Sequence, residues 1–172
     1  RTAKRTLAKV KEKLPELALL YKTIKKPSIK FFEDVEGLKQ IYIDTLTSKT
    51  EILSILDIEG WATSDLLQWG KWYNRQRTIK KIPERILAIE NEATVQWLTN
   101  YPTTLTYTKY KFIPQKLFYP FNGEINVYEQ KVMIALPTKP NRMGILIHSK
   151  DLANSLKTIF ELAWQSLPER KK

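Results

Sequence analysis

The sequence has no cysteine and a single histidine, His148. The lack of cysteine excludes disulfides, thiolate zinc sites, iron–sulfur clusters and cysteine nucleophiles. A single histidine excludes a metal site built from several histidines, and a Ser-His-Asp triad would have to use it. We therefore expect no metal and no cofactor, and a cysteine-free chain fits the reducing conditions of the cytoplasm.

Glycines and long apolar runs are also scarce. The 172 residues include five glycines, and the phosphate-binding motifs G-x-G-x-x-G and G-x-x-x-x-G-K-[ST] are absent. No apolar run approaches the ~18 residues of a membrane span, and no signal peptide is visible in the basic first residues. A composition of 42% hydrophobic and 27% charged residues is typical of a globular protein. We expect such a protein, with no membrane partner.

Positive charge is concentrated at the start of the chain. Residues 1–30 contain ten Lys and Arg and two acids, a charge of +8, which leaves +3 of the total +11 for all later residues. A body this mildly basic does not favour a protein that reads nucleic acid through its body. Within the body, the basic run of residues 71–81 has two interpretations, a phosphate-backbone contact or a solvated helix end.

Apolar residues of the leading segment recur with the 3-4 spacing of a heptad seam. They are Leu7, Val10, Leu14, Leu17, Tyr21 and Ile24. So narrow a stripe needs a partner helix, either from a second copy or from the body behind it. We favour a second copy, so residues 1–26 are predicted to be a dimerisation helix, interrupted at Pro15 and ended by Pro27.

The first half of the body alternates strands and helices. Strands are predicted at 28–32, 51–58 and 85–90, because these runs are short, apolar and rich in β-branched residues. Helices are predicted after Asp34, after Thr63 or Ser64 and after Asn91, which are typical N-capping residues. This alternation predicts parallel strands with helices packed on the sheet.

The second half changes to a strand meander. Residues 105–113 alternate with a slip in phase, which predicts a β-bulge near Thr108–Lys109. Strands at 124–128, 131–136 and 143–148 follow, joined by turns, and Ser149 is predicted to cap a last helix. Residues 27–168 are thus one α/β domain with a mixed sheet flanked by helices, and residues 169–172 form a charged tail.

Several stretches resemble TrmB-type transcriptional regulators. The leading helix ends in L-P-E-L-x-x-L-Y, and F-x-G-E-I-N-V-Y-x-x-K-V-x-I comes much later. The matching ranges are Leu14 to Tyr21, Lys26 to Leu38, Ile41 to Leu46, Phe121 to Ile134, Gly144 to Ala153 and Ile159 to Trp164. The resemblance implies a phospholipase D-like α/β effector domain without the enzyme's catalytic pair, behind a helix that dimerises.

In that family a winged helix-turn-helix precedes the leading helix and binds DNA, and some members bind sugars. No winged-helix sequence precedes Arg1, so DNA binding is expected only through that missing domain. The additional sugar-binding domain of the longer members is also not present. A small effector, a sugar or another metabolite, is expected without its identity.

Phospholipase D-type enzymes use the motif H-x-K-x-x-x-x-D, and His148-Ser149-Lys150 begins that pattern. The motif then fails, because the fifth residue after Lys150 is Ser155, and no second histidine exists. A phosphohistidine mechanism without a partner acid and base cannot complete both half-reactions. We therefore expect no enzyme activity, and His148 remains only a candidate ligand contact at a strand end.

Acids at the ends of predicted strands are further candidates. Asp57 and Glu59 follow one strand and Glu90 follows the next, at the edge where open α/β sheets bind ligands. Trp61, near them in sequence, and Trp97 have two interpretations, a stacking surface or part of the core. Ordinary polar loops are the alternative for the three acids.

Two polar residues alternate with apolar ones in the fifth strand. Glu124 and Asn126 share one face, and Ile125 and Val127 share the other. With the apolar pair in the core, Glu124 and Asn126 are predicted to face solvent or a cleft. The overall prediction is a non-enzymatic, effector-sensing and homodimeric module of a regulator; the alternatives are a phospholipase D-like hydrolase or a basic nucleic-acid-binding module.

Overall fold

The structure is a computed structural model that describes residue 13 and residues 27–62, 64–100, 106–117, 119–140 and 142–168. The predicted seam from Leu7 to Ile24 and the charged tail lie outside these residues. The strands are β1 (Ser28–Glu33), β2 (Ile52–Leu56), β3 (Glu84–Ile89), β4 (Thr108–Ile113), β5 (Glu124–Tyr128), β6 (Lys131–Leu136) and β7 (Met143–His148). The helices are α1 (Asp34–Thr45), α2 (Glu59–Ala62), α3 (Leu67–Ile79), α4 (Glu92–Asn100) and α5 (Lys150–Ser166).

Within these described ranges, seven strands form one mixed sheet in the order β1-β7-β6-β5-β2-β3-β4. Strands β2 and β3 are parallel neighbours, as the alternating pattern predicts, and β4 pairs parallel with β3. The expectation that β1 would join them was wrong, because β1 pairs antiparallel with β7 at the far edge. The chain crosses from that edge to the middle of the sheet through α1, and the meander β5-β6-β7 fills the space between.

The predicted bulge in β4 was also wrong. The strand begins at Thr108 and pairs with β3 without interruption, from Glu84 opposite Thr108 to Ile89 opposite Ile113. Tyr107, which belongs to the predicted range 105–113, lies in a turn before the strand. The slip in the sequence pattern therefore marks the beginning of the strand.

Two apolar clusters lie on opposite faces of the sheet. The first packs α1 and α3 on the sheet and includes Leu38, Ile41, Tyr42, Tyr73 and Met133. The second packs α5 on the sheet and includes Leu53, Leu87, Val127, Val132 and Phe160. Because both faces of the central strands are covered, apolar residues occupy both of their sides.

Two of the predicted helix caps are confirmed. Oδ1 of Asn91 accepts a hydrogen bond from Thr94 N at 2.9 Å, and Oγ of Ser149 accepts one from Leu152 N at 3.3 Å. The predicted cap at Asp34 was wrong, because α1 already begins there and no side-chain bond caps it. Asp34 instead has a φ of 62°, at a sharp change of direction between β1 and α1.

Candidate functional site

A recess opens on the sheet face that carries α1, between that helix, α3 and α4. Its inner cavity has a volume of about 60 Å³, and the whole recess about 770 Å³ with its open mouth included. A few water molecules fit the inner cavity, so a ligand as large as a sugar would also occupy the mouth. Aromatic side chains dominate the lining: Tyr42, Trp61, Trp69, Tyr73, Trp97 and Tyr110.

Tyr42 is at the centre of these aromatic side chains. Its ring centroid lies 5.1 Å from that of Trp61 and 5.1 Å from that of Tyr73, both edge-to-face. Trp69 stacks on Tyr73 with centroids 5.9 Å apart. Such contacts stabilise each ring beyond the burial of its surface. These aromatic side chains, which we call the aromatic wall, are therefore held in place by contacts with one another.

The carboxyl group of Glu124 lies at the floor of the recess. It is buried, and the hydroxyl of Tyr42 donates a hydrogen bond to its Oε2 at 2.5 Å. Burial and then the negative charge of Glu84 raise the pKa of Glu124 to about 7, whereas Tyr42 and Asn126 act in the opposite direction. Burial and Glu124 also raise the pKa of Tyr42 well above its usual value. Glu124 thus titrates near neutral pH.

A second buried carboxylate, Glu84, is paired with Arg77. Nε of Arg77 lies 3.2 Å from Oε2 of Glu84. Nη1 of Arg77 donates to the carbonyl of Ile82 at 2.7 Å, and Nη2 donates to the hydroxyl of Thr108. Ser54 donates to Glu84 at 2.7 Å. The charge of Arg77 also lowers the pKa of Glu124. Among the described residues that line the recess, two carboxyl groups, Glu84 and Glu124, accompany one cation, Arg77.

Arg77 corrects the interpretation of the basic run as a solvated or phosphate-binding surface. Its side chain is 1% exposed, whereas Arg75, Lys80 and Lys81 of the same run are exposed. The sequence contained the signal, because Arg77 follows the inward-facing Tyr73 by four positions and therefore shares its helix face.

Asp57 holds loops together and is not among the residues that line the recess. Its side chain is 1% exposed and accepts hydrogen bonds from Glu59 N at 3.3 Å, Asn91 Nδ2 at 3.3 Å and Asn122 N at 3.2 Å. Neighbouring groups already use its oxygens, and a ligand contact at Asp57 stays a prediction. Glu59 and Glu90 are exposed and also lie outside the lining.

Glu124 and Asn126 share a face, as predicted, but that face is not the solvent side. Asn126 is completely buried, and its side chain contacts the hydroxyl of Ser54, which lies opposite it on β2. Val127, on the other face, is buried beneath α5. The prediction of solvent exposure was wrong because helices cover both sides of β5. The other predicted environment, a cleft, is correct for Glu124, which lines the recess. Trp61 lines the recess as well.

His148 is exposed at the end of β7, opposite Ser28 on one side and Lys131 on the other. It is not among the residues that line the recess. In the described part of the chain, no group of three or more His, Cys, Asp or Glu residues is placed to hold a metal ion. The same residues include no helix that is long and apolar enough to cross a membrane.

Comparison by sequence finds no matching protein-family model and no matching curated protein. Comparison of structures finds Nuc of Salmonella typhimurium, a phospholipase D family member, with a TM-score of 0.55 and 13% identity over 86% of this chain and all of that chain. NucT of Helicobacter pylori has a TM-score of 0.55 and 11% identity over 84% of this chain and all of that chain. The chain has a phospholipase D-like fold.

Comparison of structures also finds TrmBL2, an archaeal chromatin protein whose structure shows a novel mode of DNA binding. The TM-score is 0.55 with 15% identity, over 99% of this chain. This chain spans 66% of the length of TrmBL2. At an identity this low, structural similarity establishes a shared fold and nothing finer. The resemblance to TrmB-type regulators is therefore supported at the level of the fold.

Proposed function

We propose that this chain is the effector-sensing module of a TrmB-type transcriptional regulator, and that it acts without catalysis. The observation that carries the proposal is the aromatic recess with Glu124 at its floor. An apolar recess with a few convergent polar groups is the usual form of a small-molecule site. In this proposal the chain forms a homodimer through its leading segment, and a winged helix-turn-helix outside this sequence contacts DNA.

The charge of the lining defines the class of effector. Glu84 and Arg77 compensate each other, so Glu124 leaves the recess neutral or negative, depending on its protonation. An anionic ligand would meet a buried carboxyl group, and the described residues of the lining supply no cation besides Arg77. The effector is therefore a neutral or cationic organic molecule with a face that packs on Trp or Tyr rings, a description that includes sugars.

A connection between the recess and the leading segment runs through α1. Tyr42 of α1 contacts Glu124, and α1 follows β1 directly at Glu33 and Asp34. The leading segment joins the body at β1. A ligand that binds two arrangements of Tyr42 with different affinity would shift the population of two arrangements of that segment.

The test is a thermal-shift screen of the chain against neutral, cationic and anionic metabolites. An effector must raise the melting temperature, because it binds the folded state only. We expect hits among neutral and cationic compounds, lost in Trp69→Ala and retained in the matched control Glu90→Gln. The absence of hits, or hits that persist in Trp69→Ala, would contradict a ligand site in the recess.

The regulatory part of the proposal has its own test. The reading frame upstream of Arg1 should encode a winged helix-turn-helix, and the longer protein should bind a pseudo-palindromic site. DNA binding by the present chain that survives changes in the leading segment would favour a stand-alone nucleic-acid-binding module instead.

A phospholipase D-like hydrolase is the second candidate, because the structural neighbour Nuc is a phospholipase D family member. His148 is the residue that such a reaction would need as nucleophile. A phosphodiesterase activity of the chain that disappears in His148→Ala would establish the hydrolase and overturn the sensor.

A further inference from the structure

The two buried carboxyl groups of the recess have different partners. Glu84 lies in an ion pair, with 3.2 Å between its Oε2 and Nε of Arg77. Glu124 has a neutral partner, because its Oε2 accepts a hydrogen bond from the hydroxyl of Tyr42 at 2.5 Å. The negative charge of Glu84 raises the pKa of Glu124 more than the positive charge of Arg77 lowers it. An ionised Glu124 therefore lacks a compensating charge of its own.

The guanidinium of Arg77 is engaged through all three of its nitrogens. Nε faces Glu84, Nη1 donates to the carbonyl of Ile82 at 2.7 Å, and Nη2 donates to the hydroxyl of Thr108. A guanidinium held in this way does not offer a ligand the two parallel donors that bind a carboxylate or phosphate. The recess is thus poorly suited to an anion and has a carboxyl group that suits a cation.

Aromatic rings surround the carboxyl group of Glu124. The ring of Tyr42, which binds it, has the centroids of Trp61 and Tyr73 at 5.1 Å and that of Trp69 at 5.9 Å. The face of such a ring is partially negative and attracts a cation within about 6 Å of its centroid. An organic cation in the recess gains from the rings and from the carboxylate, whereas a neutral ligand gains from apolar contact alone.

The recess suits an organic cation better than a metal ion. Hard metal cations take several oxygen ligands, and the described residues place no group of three or more His, Cys, Asp or Glu to hold a metal. The inner cavity of about 60 Å³ corresponds to roughly four to six water positions. This volume accommodates an ammonium group with a few carbon atoms, and the open mouth has room for the rest of a larger ligand.

We propose that the effector is an organic ammonium ion, with the carboxylate of Glu124 as its counter-ion and the aromatic wall as its cation–π surface. The inference rests on the proposed function, because it names the ligand class of the same recess. It makes Glu124 the residue that determines specificity, since this carboxylate separates a cation from a neutral molecule of the same shape.

Binding of such a cation displaces a proton. Glu124 is faced by Tyr42 of α1, by Tyr73 and Arg77 of α3 and by Glu84 of β3. Burial holds the pKa of both tyrosines well above their usual value, so neither loses its proton near neutral pH. The pKa of Glu124 is about 7. A cation should therefore bind about tenfold more tightly at about pH 8, where Glu124 is ionised, than at about pH 6.

The experiment uses isothermal titration of the full chain with probes of one shape and different charge. Benzylammonium is compared with benzyl alcohol and with benzoate, and choline is compared with its uncharged isostere dimethylbutanol. At about pH 8 we expect the cation of at least one pair to bind at least about tenfold more tightly than its neutral isostere. Benzoate should not bind.

Glu124→Gln keeps the shape of the side chain and removes its charge. This variant should lose the preference for the cation and its pH dependence, while its affinity for the neutral isostere stays unchanged. The matched control is Glu90→Gln, an exposed carboxyl group outside the lining, which should keep both. If Glu124→Gln does not fold, the wild type decides. It should release a proton on binding the cation, as measured below pH 7 in buffers of different ionisation enthalpy.

Four outcomes would overturn the ammonium ligand. They are failure of both cations to bind, equal affinity for a cation and its isostere, a preference that persists in Glu124→Gln, and binding without proton release. If neutral compounds still raise the melting temperature in a way that requires Trp69, the proposed function stands and only the ligand class is wrong. If no compound of the screen binds either, both proposals fail.

Discussion

Arg77 and Glu84 form an ion pair inside the protein, with 3.2 Å between Nε and Oε2 and with both side chains at most 5% exposed. The pair joins the end of α3 to the beginning of β3, and the carbonyl of Ile82 in the connecting loop accepts from the same guanidinium. Removal of one partner from a buried pair leaves an uncompensated charge in the interior. The pair is thus important for folding at the edge of the recess.

The first prediction concerns this pair. Arg77→Met should lower the free energy of unfolding by about 3–5 kcal/mol, because Glu84 would be left buried without its cation. The double variant with Glu84→Gln should recover part of that loss. Urea denaturation at neutral pH measures both effects, and a loss below about 1 kcal/mol in the single variant would show that the pair is not coupled in this way.

The second prediction concerns pH. The pKa of Glu124 is about 7 in the folded state and 4.5 in its ordinary environment. Between these values the folded state binds the proton more readily, so the contribution to the free energy of unfolding is complete below pH 4.5 and is lost as the pH rises through 7. The loss should be on the order of 3 kcal/mol. Glu124→Gln should not show it, and parallel pH profiles of the two proteins would contradict the buried carboxyl group.

The third prediction separates Asp57 from Glu90, which follow neighbouring strands. Asp57→Ala should destabilise the protein by about 2–3 kcal/mol, because three donors around it lose their acceptor. Glu90→Ala, at an exposed position, should change the stability by no more than about 0.5 kcal/mol. Thermal denaturation compares the two. Equal and small effects of the two substitutions would contradict a structural role for Asp57.

The fourth prediction uses two glycines. A Cβ on Gly60 would lie 2.3 Å from the carbonyl oxygen of Asn122, so Gly60→Ala should destabilise the protein and displace that loop. A Cβ on Gly70 would meet nothing within 4 Å. Because Gly70 lies inside α3, Gly70→Ala should stabilise the protein by about 0.5–1 kcal/mol. Melting temperatures that move in the same direction would contradict this account.

The sequence predicted the elements of the body well because each of them is encoded locally. The meander strands agree with the predicted bounds, and Asn91 and Ser149 cap the helices that follow them. Arg77 and Asn126 were misplaced for a different reason. A charged or amide side chain is predicted to be exposed unless its partner is known. Arg77 pairs with Glu84 of the next strand, and Asn126 contacts Ser54, which lies 72 residues away in the chain.

The sequence by itself determined most strands and helices of the body and the α/β class, and its composition leaves this chain without thiol or multi-histidine chemistry, since periodicity and composition are local properties. Only the tertiary structure decided where β1 lies, because edge placement depends on which strands fill the centre of the sheet. It also decided that Glu124 rather than Asp57 lines the recess. Both acids lie in or just after a strand, and their roles differ because Tyr42 and the aromatic wall pack against one of them, whereas loop amides surround the other.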